Sequence, residues 1–273
     1  MDALTDDPLA LPDQDVLIEG VPDHLVEPLR AWLRSQLRSK SEWNEVLARA
    51  ILLRIRRSKA PQVNYYGTAL VNCPQGDLLR AINALLQLVD KKHLKIDTFE
   101  LDHLLSFGGS AYRVSSDLDR LVHRVPEQAQ AAFDTAAKTA PEAAARHLQD
   151  AWVATYGLDP DYDKAVSSSI KAVEEILLPL VSPTNDGHRT LTKSLATLKR
   201  EASDWEVALP NLPSGSSAIS ILSDLMHAMM KAHSSRHGGS STSRIPFAVE
   251  AETVLHLAIA LVQVLSIGGL KKA

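Results

Sequence analysis

The apolar and polar positions of this chain recur at helical spacing in every long segment from residue 23 onward, with no sustained alternation of the strand kind. A first helix is predicted from Asp23-His24, with Leu25, Leu29, Trp32, Leu33 and Leu37 on its apolar face and Arg30, Arg34 and Arg38 on another. Ser39-Lys40-Ser41-Glu42 has the spacing at which a Ser hydroxyl and a Glu carboxylate cap each other's backbone amides. It predicts a second helix through Val46, Leu47, Ala50, Ile51 and Ile55. Residues 64–77 read as a loop and Asp77 as the cap of a third helix through Leu78, Ile82, Leu85, Leu86 and Val89. Asp97-Thr98-Phe99-Glu100 caps a short helix that Gly108-Gly109 stops. Ser110 to Val114 has an extended reading but is too short to found a sheet.

The helical pattern continues over residues 117–122, 127–138 and 141–156. Pro160 or Asp161 then opens a helix through Ala165, Ile170, Val173, Ile176 and Leu177 that is predicted to stop before Pro179. Residues 190–205 make the next, and Ser216 or Ser217 opens one through Ile219, Leu222, Leu225 and Met229. Pro246 sits in the first turn of the last helix, which carries Val249, Val254, Leu257, Leu261 and Leu265. Short connections between amphipathic helices favour bundles, so the predicted fold is all-α: a helical N-terminal domain over residues 23–138 and a helical bundle over residues 139–273, meeting beside Pro141.

Charge adds what periodicity does not show. Residues 1–23 hold seven acids and no Lys or Arg, whereas residues 24–60 hold nine basic residues against three acids. Residues 1–22 therefore read as an acidic, mobile leader, because the acids interspersed with Pro8 and Pro12 leave little apolar surface to bury. Arg30, Arg34, Arg38, Arg54, Arg56 and Arg57 form a candidate RNA-binding face. Two plainer roles compete with that one: a solvated stripe on the first helix, and cations placed where a helix C-terminus favours them. The net charge of -4 argues against a uniformly basic nucleic-acid coat.

The single cysteine, Cys73, cannot form an intramolecular disulfide, and no positively charged leader followed by an apolar segment opens the chain, so a cytoplasmic location is expected. The longest strongly apolar run, residues 254–267, is about 14 residues and contains His256 and Gln263; no membrane association is expected from it. Phosphate loops, dinucleotide fingerprints and nucleophile elbows do not occur. His227, His233 and His237 lack further ligands at zinc-binding spacing, so neither a metal nor a cofactor is expected.

One set of segments has a family likeness. Tyr156-Gly157-Leu158-Asp159-Pro160-Asp161-Tyr162-Asp163-Lys164-Ala165, Ile170-Lys171-Ala172-Val173-Glu174, Val181-Ser182-Pro183-Thr184-Asn185, Thr190-Leu191 and Arg236-His237-Gly238 together resemble the C-terminal domain of abortive infection proteins, which is HEPN-like, over residues 140–273. The resemblance implies a helical bundle, commonly a homodimer across a two-fold axis, in a phage-defence or toxin-antitoxin effector. Many members are metal-independent endoribonucleases, marked by an arginine followed a few residues later by a histidine. His237 and Gly238 match the end of that motif; the arginine position falls at Met230 or Lys231, where no arginine stands.

Metal-free RNA cleavage needs a base for the 2'-hydroxyl proton, an acid for the leaving 5'-oxygen and a cation near the phosphate. The resemblance assigns His237 as acid/base, Arg236 and Lys231 as charge stabilisers and Glu174 as an orienting carboxylate. A lysine cannot reproduce the two-pronged grip of a guanidinium on phosphate. A second class therefore stays open beside the nuclease: a non-catalytic helical module that binds RNA or a protein such as an antitoxin or a phage protein.

Overall fold

The computed structural model describes residues 17–39, 41–89, 96–182, 190–208, 217–232 and 245–273. The chain is predominantly α-helical, and its strands are short antiparallel pairs. It divides into two compact units, Met1–Arg124 and Val125–Ala273.

In the first unit, α1 (Asp23–Leu37) buries the predicted apolar face, Leu25, Leu29, Trp32, Leu33 and Leu37. The helix expected from Ser39 does not start there. Arg38–Ser39 (β1) and Glu42–Trp43 (β2) pair as a tight hairpin, with Ser41 in the left-handed region at φ 78°. Helix α2 (Glu45–Arg54) begins after it, with Asn44 Oδ1 accepting from the Leu47 amide at 3.1 Å. Its buried residues are Ala48, Ile51 and Leu52, and Val46, a predicted core residue, is 82% exposed.

A six-residue helix, α3 (Tyr66–Val71), occupies part of the segment read as a loop. Its first amides, Tyr66 N–H and Gly67 N–H, donate to the Glu45 carboxylate at 2.8 and 3.1 Å, so a carboxylate from α2 supplies a cap that no local pattern announces. Helix α4 (Gln75–Leu88) starts two residues before Asp77, which sits in its first turn rather than at the cap. In α5 (Thr98–Phe107) the expected cap is present, Asp97 Oδ1 accepting from Glu100 N–H at 2.9 Å. The helical turn predicted over residues 117–122 is instead part of a hairpin, β3 (Tyr112–Val114) against β4 (Leu121–His123).

The second unit begins with α6 (Glu127–Thr139), which packs on α7 (Glu142–Tyr156) and α11 (Ala248–Ser266). Phe133 of α6 stacks on Trp152 of α7 at 4.3 Å between ring centroids. That packing places the division one helix before Pro141, where the sequence pattern puts the change of domain. Helix α8 (Tyr162–Val181), capped by Asp161 at the Lys164 amide, runs through Pro179, because a proline in the last turn removes a single hydrogen bond. Helix α9 (Leu191–Arg200) stops short of residue 205, and Trp205–Val207 (β5) pairs with the C-terminal Leu270–Lys272 (β6). Helix α10 (Ala218–Ala232) packs on α8, α9 and α11.

Among the described residues α11 alone is long and apolar enough to cross a bilayer by length and composition. Its Ala251, Leu255, Ala258, Ile259 and Val262 are buried and belong to the same core as Trp152, Val173 and Leu177, so it serves as a core helix of this unit.

Candidate functional site

Of the residues assigned to RNA cleavage, His237 and Arg236 lie outside the described residues. Lys231 is exposed in the last turn of α10, which ends at Ala232. Glu174 is half-buried on α8, a helix that packs against α10. On the exposed side of α10, Asp224 accepts from Lys199 Nζ at 2.6 Å and from Ser220 Oγ at 3.3 Å. The bond from Lys199 holds its carboxyl below the usual range, with slight desolvation opposing. Among the described residues no three His, Cys, Asp or Glu side chains gather as a metal site would require.

Four of the six arginines of the candidate RNA-binding face are occupied. Arg30 donates through Nη1 to Glu27 and through Nη2 to the Cys73 carbonyl, both at 3.1 Å, tying α1 to the loop before α4. Arg57 Nε reaches Asp77 Oδ2 at 2.7 Å, and the Asp77 side chain is only 8% exposed, so this guanidinium neutralises a buried carboxylate. Arg54 Nη2 donates to Gln87 Oε1 at 2.6 Å, and Arg38 lies 5.4 Å over the Trp43 ring. Arg34 is half-buried on α1, and Arg56 is exposed with a positive φ of 57° just after α2. What reads in the sequence as one polyanion face is, for Arg30, Arg54 and Arg57, a set of ties between helices.

Two of those ties, through Arg30 and Arg57, meet at Cys73. Burial pushes its thiol up to about 11, the Asp77 carboxylate adds to that, and Arg30 and Arg57 only partly offset it, so Cys73 is a poor nucleophile at neutral pH.

Two polar clusters escape a reading of the sequence because their members are far apart in the chain. In the second unit the Tyr156 hydroxyl lies 2.8 Å from both Glu252 Oε1 and His256 Nε2. A single O–H donates to the carboxylate and accepts from an imidazole N–H, which closes a chain from His256 through Tyr156 to Glu252. Burial and then the Glu252 carboxylate push the phenol far above its ordinary value, so it stays neutral. In the first unit Glu19 accepts from Tyr112 Oη at 3.0 Å and lies 2.6 Å from His123 Nε2. Desolvation opposes ionisation of Glu19, but the His123 and Tyr112 hydrogen bonds outweigh it and lower its pKa.

Among the described residues of the first unit, α5 carries exposed aromatic rings. Leu101 and Leu105 face the core, while Phe99, His103 and Phe107, at i, i+4 and i+8, run up the outer side. The His103 ring lies 4.0 Å from Phe99 and 5.6 Å from Phe107 between centroids. Phe99 is 72% and Phe107 88% exposed. The signal is present in the sequence: a short helix apolar on two faces has one face more than its own core uses.

No family model matches the chain, and no curated protein or solved structure is significantly similar to it.

Proposed function

We propose that the chain is a helical recognition module of a phage-defence or toxin-antitoxin system, and that it binds a partner protein through the outer face of α5. The observation that carries this reading is the row Phe99, His103 and Phe107, with two phenyl rings held bare on one side of a ten-residue helix. Aromatic side chains on a rigid element are the usual anchors of protein interfaces. Protein is favoured over RNA because Arg30, Arg54 and Arg57 are committed to carbonyl, amide and carboxylate partners, and because the net charge is -4. The defence context is supported by the likeness of the segments between residues 156 and 238 to abortive infection proteins.

A second reading, endoribonuclease action through His237, is supported by the match of His237-Gly238 to the end of the motif and by Lys231, which is exposed on α10 where the motif's cation is expected. The two readings separate in cells. The Phe99→Ser/Phe107→Ser variant is expected to lose growth inhibition or phage protection with its melting temperature unchanged, while His237→Ala keeps the activity; exposed substitutions of this kind stay within about 0.5 kcal/mol. The opposite pattern rejects recognition through α5 in favour of cleavage.

A further inference from the structure

Helix α2 carries a second exposed surface of the first unit, of a different kind from the aromatic row of α5. Ala48, Ile51 and Leu52 face the core. On the opposite side Val46, Ala50 and Leu53 follow one another at i, i+4 and i+7, with Val46 82% and Leu53 65% exposed and Ala50 half-buried. Apolar residues at that spacing form the seam by which one helix packs along another in a coiled coil, and the charges beside the seam select the partner. Arg49 and Arg54 flank this seam, and Arg56 stands exposed just past the end of the helix.

Two of these three cations are uncommitted. Arg54 is tied to Gln87, but among the described residues no carboxylate pairs with Arg49 or Arg56. The Arg49 guanidinium lies 5.7 Å over the Tyr66 ring, which holds it at the edge of the seam without neutralising it. The carboxylate of α2, Glu45, is engaged by the Tyr66 and Gly67 amides. Arg56, at φ 57°, occupies the left-handed region that glycine adopts more readily, so an exposed cation stands where the backbone favours no side chain at all. We propose that the Val46–Ala50–Leu53 seam docks an acidic amphipathic helix of a partner protein, with its apolar stripe on the seam and its carboxylates against Arg49 and Arg56. This surface does not depend on the reading of α5.

Charge and shape select this occupant. A second copy of α2 would bring its own Arg49 and Arg56 to the seam and no carboxylate to answer them, and like charges set against each other suppress pairing. RNA needs cations along its backbone and rings on which bases stack. The seam instead offers two aliphatic side chains, and Arg54 and Arg57 beside it are committed to Gln87 and Asp77. A membrane-surface helix sinks a whole apolar face into the headgroups, whereas the main apolar face of α2 is buried in the core. An acidic helix matches both the spacing of the apolar residues and the sign of the flanking charges.

The probe is a synthetic peptide of about three heptads with Leu at the seam positions and Glu at the flanking ones, beside a sister peptide with Lys in place of Glu. Each is titrated to about 1 mM, the range of weak docking, into the isotope-labelled full chain, and the backbone amide resonances are followed. The Glu peptide should shift the amides of residues 46–56, and the Lys peptide should leave them in place. Full-length Arg49→Glu/Arg56→Glu should bind the Glu peptide at least about tenfold more weakly and acquire binding of the Lys peptide. Arg49→Gln/Arg56→Gln, which removes the charges without reversing them, should weaken the Glu peptide severalfold with an unchanged melting temperature, because both side chains are exposed. Equal shifts from the two peptides, no shift up to the highest concentration, or an affinity indifferent to both sets of substitutions overturns the proposal. Shifts of the same amides by oligouridylate or by phosphatidylserine vesicles, with none from the Glu peptide, also overturn it and assign the surface to RNA or to a membrane.

Discussion

Replacing Tyr156 by Phe removes one oxygen from the second unit and keeps the ring against Trp152, whose centroid lies 4.7 Å away. The oxygen makes two hydrogen bonds of 2.8 Å, one to a carboxylate. Net values run about 0.5–1.5 kcal/mol for a neutral pair and about 1.5–3 for a charged one. Glu252 and His256 are both half-exposed, so water replaces part of what is lost, and the expected cost is about 1–2 kcal/mol. At roughly 2–4 °C per kcal/mol for a domain of this size, the melting temperature should fall by about 2–8 °C at pH 7. Tyr156→Ala, which also empties a ring-sized space in the core, should cost about 3–5 kcal/mol.

The alkaline limb provides an independent check. The phenol is raised above its ordinary 10.0, so the stability it contributes is complete below pH 10 and is lost as pH rises beyond that value. Tyr156→Phe should be less sensitive to alkali than the natural protein. Thermal unfolding followed by circular dichroism from pH 7 to 11 measures both effects. Equal melting temperatures for the natural and Tyr156→Phe chains across that range would show that the hydroxyl is not the tie between α7 and α11.

Three further outcomes follow from the first unit. Gly67→Ala places a Cβ 2.2 Å from the Trp43 ring, so it should destabilise by about 1–3 kcal/mol in urea unfolding, and a wild-type midpoint would refute the close packing. Cys73, buried with its thiol pushed up to about 11, should resist iodoacetamide at pH 8 in the native protein and react promptly once unfolded; rapid native alkylation would contradict the burial. Glu19 is held below its ordinary 4.5, so its grip on His123 and Tyr112 is present above that pH and is lost as pH falls through the lowered value. Hydrogen exchange at the Ile18 and Ala111 amides, referenced to peptide rates, should therefore lose protection on acidification, and Glu19→Gln should show weaker protection already at pH 7.

Periodicity is enough to find the long helices, because α1, α4, α7, α8 and α11 each bury a face that repeats at helical spacing. It fails where distant residues set the local structure. The Glu45 carboxylate makes a helix start at Tyr66, and the turn at Ser41 makes a hairpin out of a capping-box spacing. Helix α5 shows the opposite kind of omission. Its two apolar faces are legible, yet only tertiary packing tells which of them, Leu101 with Leu105 or Phe99 with Phe107, is left outside. The arginines mislead in the same way, since Arg57 reads as a free cation until Asp77 is found beneath it.

The most direct measurement of recognition through α5 is photocrosslinking in cells, with p-benzoylphenylalanine in place of His103 and, as a control, in place of the exposed Lys171 on α8. The account predicts a discrete adduct at position 103 that protease removes and ribonuclease does not, with the same band missing at position 171. A ribonuclease-sensitive adduct at position 103, or identical adducts at both positions, would contradict it.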